Sequence, residues 1–215
     1  ITPTLDPNAI AYDEEHPEIL YPDQLYAWSA ILIEAGSGEV IFEKDADTLR
    51  YPASTTKIMT VMLALENLDL DGVITVSAAA AAQGGSALGL AEGEQISVRD
   101  AVYATMLLSA NDAAWALAEA VSGDTVSFAA LMNDKAEELG AVATYFVTPN
   151  GLPTSSHVTS PIDMAKFTQA AMDNDMFRQV VGTYQYTVAA TNMSEPRTVT
   201  NTNRLLADLS TDASG

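Results

Sequence analysis

Pro52-Ala53-Ser54-Thr55-Thr56-Lys57-Ile58-Met59-Thr60 is the stretch on which the reading of this chain turns. Ile58, Met59, Met62, Leu63 and Leu65 recur at helical spacing. A helix is therefore expected from near Ser54 to about Glu66, with those residues as its buried face. Ser54 could simply cap it. A cap, however, prefers Glu or Gln three residues on, reaching back to the exposed amides. Here that position holds Lys57, a cation at the positive end of the helix dipole, where it costs about 0.3–1 kcal/mol. Residues three apart share a face, so the Lys57 amine can reach the Ser54 hydroxyl. Dipole and burial both disfavour the ammonium and lower its pKa toward that of a useful base. A neutral amine could take the serine proton as the oxygen attacks a carbonyl, and the first amides of the helix could favour the developing oxyanion.

Working outward, Trp28 to Ile33 and Val40 to Phe42 read as two strands joined by the turn Gly36-Ser37-Gly38. Downstream, Ser97–Leu108, Asp112–Val121 and Asp124–Leu139 show helical spacing with polar starts. Ser109-Ala110-Asn111 falls between the first two of these helices. It could be a second cap, or a hydroxyl and an amide presented together to relay a proton and hold a peptide carbonyl. Thr148-Pro149-Asn150-Gly151 reads as a turn rather than a site. Ser160-Pro161 opens another helix with proline at its first position. Tyr184–Ala189 and Arg197–Thr200 alternate like strands. Residues 1–24, with Pro3, Pro7, Pro17 and Pro22, read as an extended arm that leaves His16 in solvent. Trp28 and Trp115 sit at core-like positions. One hairpin and one short ribbon are fewer strands than a stable sheet wants.

Composition narrows the chemistry. Among 215 residues, 29 acids against 9 bases give a formal net charge of -20, which repels phosphate backbones and argues against nucleic acid as a partner. It also disfavours a peripheral hold on anionic lipid. With no cysteine, neither disulfides nor thiolate chemistry is available. Only His16 and His157 are present, too few for a histidine metal centre, and no metal or cofactor is expected. A Ser-His-Asp triad would have to rest on His157 alone. The longest apolar run, Ile58 to Leu65, is too short to span a bilayer. No basic, apolar signal segment opens the chain, which leaves a cytoplasmic protein and one whose targeting segment has been removed equally open.

Taken together, these segments resemble the low-molecular-mass penicillin-binding carboxypeptidases that act on D-Ala-D-Ala, relatives of the class A β-lactamases. The family is marked by Ser-x-x-Lys, Ser-Asp-Asn and Lys-Thr-Gly motifs. The resemblance covers nearly all of residues 25–206. Besides the opening stretch it includes Ser109-Ala110-Asn111-Asp112-Ala113-Ala114 and Leu131-Met132-Asn133-Asp134-Lys135-Ala136. It continues through Asn150-Gly151-Leu152 and Asn201-Thr202-Asn203-Arg204-Leu205-Leu206. It implies an α/β fold of β-lactamase/DD-peptidase type, an antiparallel sheet flanked by helices plus a helical subdomain, over residues 25–215. It also implies that Ser54 is the nucleophile, Lys57 its base, Ser109 the proton relay and Asn111 a substrate-binding residue. Peptidoglycan stem peptides ending in D-Ala-D-Ala would be the substrate, β-lactam antibiotics covalent inhibitors, and the location extracytoplasmic. His157 matches a family position in the loop before Ser160 and is read as structural. The Lys-Thr-Gly motif, which in relatives follows soon after the segment matching Asn201–Leu206, is absent from these residues. The domain is therefore expected to be incomplete at its C-terminus, its closing strands and third motif supplied by a continuation or a separate fragment. Two other functions compete. A serine β-lactamase would need a Glu-x-x-Leu-Asn loop, and no such run occurs. A non-catalytic penicillin- or muropeptide-binding protein is disfavoured by the presence of Ser54, Lys57, Ser109 and Asn111 together.

Overall fold

The computed structural model describes residues 25–207. The proline-rich arm over 1–24, with His16, lies outside the described residues. Strands β1 (Ala30–Ile33) and β2 (Val40–Lys44) form the antiparallel hairpin expected from the paired β-rich runs. Its turn closes through Gly38 N–H to the Glu34 carbonyl at 2.9 Å. Trp28 stands before β1 and is 78% exposed, so the core position expected of it is wrong. Its ring lies outside the ribbon with the Arg50 guanidinium 6.0 Å from its centroid. An aromatic at a strand entrance has apolar area to bury but no fixed side on which to bury it.

The first helical stretch starts as a 3-10 turn, Ala53–Thr56, and continues as α1 (Lys57–Asn67). Sequence periodicity gave this helix one buried face; Met59, Thr60, Val61, Met62, Leu63 and Ala64 are all buried. A helix hidden on every side belongs at the centre of a domain. It packs against α3 (Val98–Leu107), α4 (Asn111–Ser122), α6 (Pro161–Met172) and α7 (Asp175–Val181). The alanines of α4, Ala113, Ala114, Ala116 and Ala118, are at most 1% exposed. Small side chains there let α1 and α3 approach closely. α5 (Thr125–Glu138) covers α4 and is capped by the Asp124 carboxylate, which accepts from the Val126 and Ser127 amides.

Two further strands escaped the sequence reading. β3 (Val73–Thr75) and β4 (Gln95–Ser97) pair antiparallel around buried Ile74 and Ile96. At three residues each they are too short for period-2 alternation to register. The four-residue α2 (Ala78–Ala81) and α7 were missed for the same reason of length. β5 (Gln185–Val188) and β6 (Arg197–Thr200) form a third ribbon, fastened to α3 by the Tyr186 ring. That ring stacks on Tyr103 at 3.8 Å, and its hydroxyl donates to Asp100 at 2.7 Å. The strands of the described residues thus form three separate two-stranded ribbons. On β1–β2, Leu32 and Ile41 are 54% and 63% exposed.

Candidate active site

Ser54 sits at the surface in the 3-10 turn, and Lys57 ends that turn while being only 2% exposed. The Lys57 Nζ donates to Ser54 Oγ at 3.1 Å and to the Asn150 carbonyl at 2.8 Å. Among the described residues no carboxylate pairs with this amine. Burial pushes its pKa down to about 8, so at pH 7 roughly one amine in ten is neutral. Ser54 does not cap the helix: neither the 3-10 turn nor α1 has a side-chain cap. The Thr55 amide is taken by the Pro52 carbonyl, and the Lys57 amide by the Ser54 and Thr55 carbonyls. These two amides of the first turn are therefore not free for an oxyanion.

The turn is held in an unusual backbone shape. Ala53 has φ +48°, a left-handed conformation that costs an L-residue about 1–2 kcal/mol. This shape aims the Ala53 carbonyl at Gly151. A Cβ on Gly151, itself at φ +79°, would lie 1.8 Å from that oxygen and 2.8 Å from Thr56 Oγ1. Only glycine lets the two segments touch. Asn150-Gly151, read from sequence as a turn and no site, is thus a wall of the site. The adjoining Pro149 carbonyl accepts from Thr60 Oγ1 at 2.6 Å, and the Asn150 side chain donates to Gln83 at 2.9 Å.

Ser109 lies between α3 and α4, and Asn111 is the first residue of α4. Ser109 has φ +60°, and its Oγ is buried without a hydrogen-bond partner. No hydrogen bond joins it to Ser54 or Lys57. Asn111, 5% exposed, donates from Nδ2 to the Gly84 carbonyl at 2.7 Å, while its Oδ1 is buried and unpaired. Two unpaired polar atoms so close in sequence are costly unless a further group meets them. α4 has no side-chain cap, so the capping alternative for this segment does not hold. The next residue does something the sequence did not suggest. The buried Asp112 carboxylate accepts from the Leu88, Gly89 and Leu90 amides at 3.0, 2.9 and 2.9 Å. It pins the 83–90 loop, and with it the Gly84 carbonyl, against Asn111. From β6, Arg197 donates to the Gly89 carbonyl at 3.3 Å and pairs with buried Glu94. A hydroxyl beside a depressed amine is an arrangement for acyl transfer.

The chain is 36% identical over 185 residues to the D-alanyl-D-alanine carboxypeptidase DacF of Bacillus subtilis, covering 84% of this chain and 47% of that protein. It is 38% identical over 191 residues to a D-alanyl-D-alanine carboxypeptidase of Streptomyces, covering 81% of this chain and 66% of that one. It therefore spans about half to two thirds of the length of these relatives. Its fold is that of the DD-peptidases. The crystal structure of a Streptomyces DD-transpeptidase superposes with a TM-score of 0.78 at 35% identity, over 86% of this chain and 76% of that one. The model of one family, described as D-alanyl-D-alanine carboxypeptidase, matches residues 15–215. By that match, by its relatives and by its fold, the chain belongs to the D-alanyl-D-alanine carboxypeptidase family.

Proposed function

We propose that this protein is a penicillin-sensitive serine D-Ala-D-Ala carboxypeptidase that trims peptidoglycan stem peptides outside the cytoplasm. The observation that carries the reading is the buried Lys57 amine, its pKa pushed down to about 8, 3.1 Å from the Ser54 hydroxyl. Neutral Lys57 takes the Ser54 proton as Oγ bonds to the carbonyl carbon between the two terminal D-alanines. The carbon–nitrogen bond breaks, Ser109 passes the proton to the leaving amine, and water hydrolyses the ester. Asn111, with an unpaired Oδ1, meets the amide groups of the peptide. A β-lactam acylates the same oxygen. No Lys-Thr-Gly run occurs in these residues, and the exposure of Ser54 is consistent with a further wall over it. That wall is assigned to a continuation or separate fragment bearing the motif.

The test is intact-protein mass spectrometry after incubation of the full-length protein with a penicillin. One adduct on the wild type and none on Ser54→Ala is expected. An adduct on the alanine variant would remove Ser54 from the mechanism.

A further inference from the structure

Lys57 meets Asn150 across two separate stretches of chain, and a third residue ties those stretches together. His157 is 1% exposed, among the largest fully buried side chains of the molecule. Its Nδ1 accepts from two backbone amides, Val147 at 3.0 Å and Thr148 at 3.3 Å. Its Nε2 lies 2.8 Å from Thr56 Oγ1. Two N–H donors converging on Nδ1 require a lone pair there, so the ring is neutral and its proton is on Nε2, donated to Thr56. Burial lowers the imidazole pKa, in keeping with a neutral ring.

Each nitrogen grips one side of the site. Thr56 is the last residue of the Ser54 turn and precedes Lys57. Val147 and Thr148 lead directly into Pro149, Asn150 and Gly151, whose contacts with Thr60, Lys57 and Ala53 were described above. The Phe146 ring packs against the imidazole in a T-shaped contact, centroids 5.6 Å apart. We infer that His157 is a positioning residue for acylation: as the Nε2–H tautomer it brackets Thr56 to the 147–151 segment and so fixes the Asn150 carbonyl against the Lys57 amine. This rests on the carboxypeptidase reading for its consequence and on local geometry for its existence. His157 touches no reacting atom and acts only through this bracket.

The experiment uses the full-length protein and four variants: Thr56→Ser, Thr56→Val, His157→Asn and the double variant Thr56→Val/His157→Asn. Asparagine can keep an acceptor near the Nδ1 position but has no group to reach Thr56. Two quantities are read: the penicillin acylation rate, and the Lys57 titration followed by NMR of its side-chain carbon next to the amine. Thr56→Ser is expected to acylate at the wild-type rate. Thr56→Val and His157→Asn should each be slower on the order of 10- to 100-fold, the cost of a misplacement approaching 1 Å. The double variant should be no slower than the worse single one, because each change opens the same bracket. Both slow variants should also displace the Lys57 midpoint, whereas Thr56→Ser should not. Wild-type rates in both single variants, losses that multiply in the double variant, or an unmoved Lys57 titration would overturn the inference. A wild-type protein that forms no penicillin adduct would instead refute the carboxypeptidase reading, and the titration would still decide the bracket.

Discussion

Replacing Lys57 by methionine should make the protein more stable at neutral pH while abolishing acylation. The side chain is 2% exposed and has two acceptors in reach, Ser54 Oγ and the Asn150 carbonyl. Burial, with no carboxylate partner among the described residues, takes its pKa from 10.5 to about 8. The folded-state value lies below the unfolded one, so between about pH 8 and about pH 10.5 the unfolded chain binds more protons. Stability therefore rises with pH across that window, and below pH 8 the whole cost of burying the ammonium is borne. At about 1.4 kcal/mol per pH unit, that cost is about 3 kcal/mol. Methionine conserves length and removes the charge, but it leaves the Asn150 carbonyl without its donor, which takes back about 1 kcal/mol. A net gain of about 2 kcal/mol at pH 7 corresponds to a melting temperature higher by roughly 4–8 °C. The gain should fade as pH climbs through the window, because the wild-type lysine then folds neutral. Paired thermal melts from about pH 6 to about pH 10 measure both effects. A methionine variant less stable at pH 7, or a difference that does not change with pH, would refute the argument that burial alone depresses this amine.

Further expectations concern the same neighbourhood. Lys57→Arg keeps the charge but cannot release a proton, so its acylation rate should be nearly abolished; arginine at the wild-type rate would remove Lys57 as base. In the wild type, the acylation rate should rise with pH to a midpoint near 8, the value burial gives Lys57, and stopped-flow penicillin binding reads it. Gly151→Ala forces the 1.8 Å approach to the Ala53 carbonyl apart by more than 1 Å. Acylation should fall about 100-fold, with a lower melting temperature in the same sample. Asp112→Asn turns an amide group toward loop N–H donors and should cost about 2–4 kcal/mol in denaturant unfolding. Hydrogen exchange should speed up at Leu88, Gly89 and Leu90.

The contact between Ser54 and Lys57 was legible because the two are neighbours in sequence as well as in space. A lysine where a capping glutamate is expected is a local contradiction, and local contradictions show in one dimension. Long helices were legible too, since α3, α4 and α5 carry enough turns for their periodicity to emerge. What sequence could not give was long range or short. Asn150 and His157 reach the site from 93 and 101 residues away, through a carbonyl and a ring. A carbonyl belongs to every residue, so no letter advertises its use. Asp112 was in view beside Asn111 but was read as a helix start, because a carboxylate serving distant loop amides has the same sequence as one that caps. Gly151 carried the one usable hint, a glycine where a close approach or a positive φ was needed, and a turn accounted for it equally well. The outward placement of Trp28 followed from where β1 begins, which hydrophobicity does not mark.

The left-handed alanine at position 53 and serine at position 109 also bear on how this protein would respond to selection for heat resistance. Each holds about 1–2 kcal/mol of backbone strain that glycine or asparagine would release. A library screened for folding alone should enrich those residues at both positions, and the survivors should melt later. At position 53, glycine would also widen the conformations open to the turn that presents Ser54. At position 109, either exchange deletes the hydroxyl. The same screen, run with penicillin binding as a second filter, should discard these substitutions. Heat resistance and acylation would thus pull the same two codons in opposite directions.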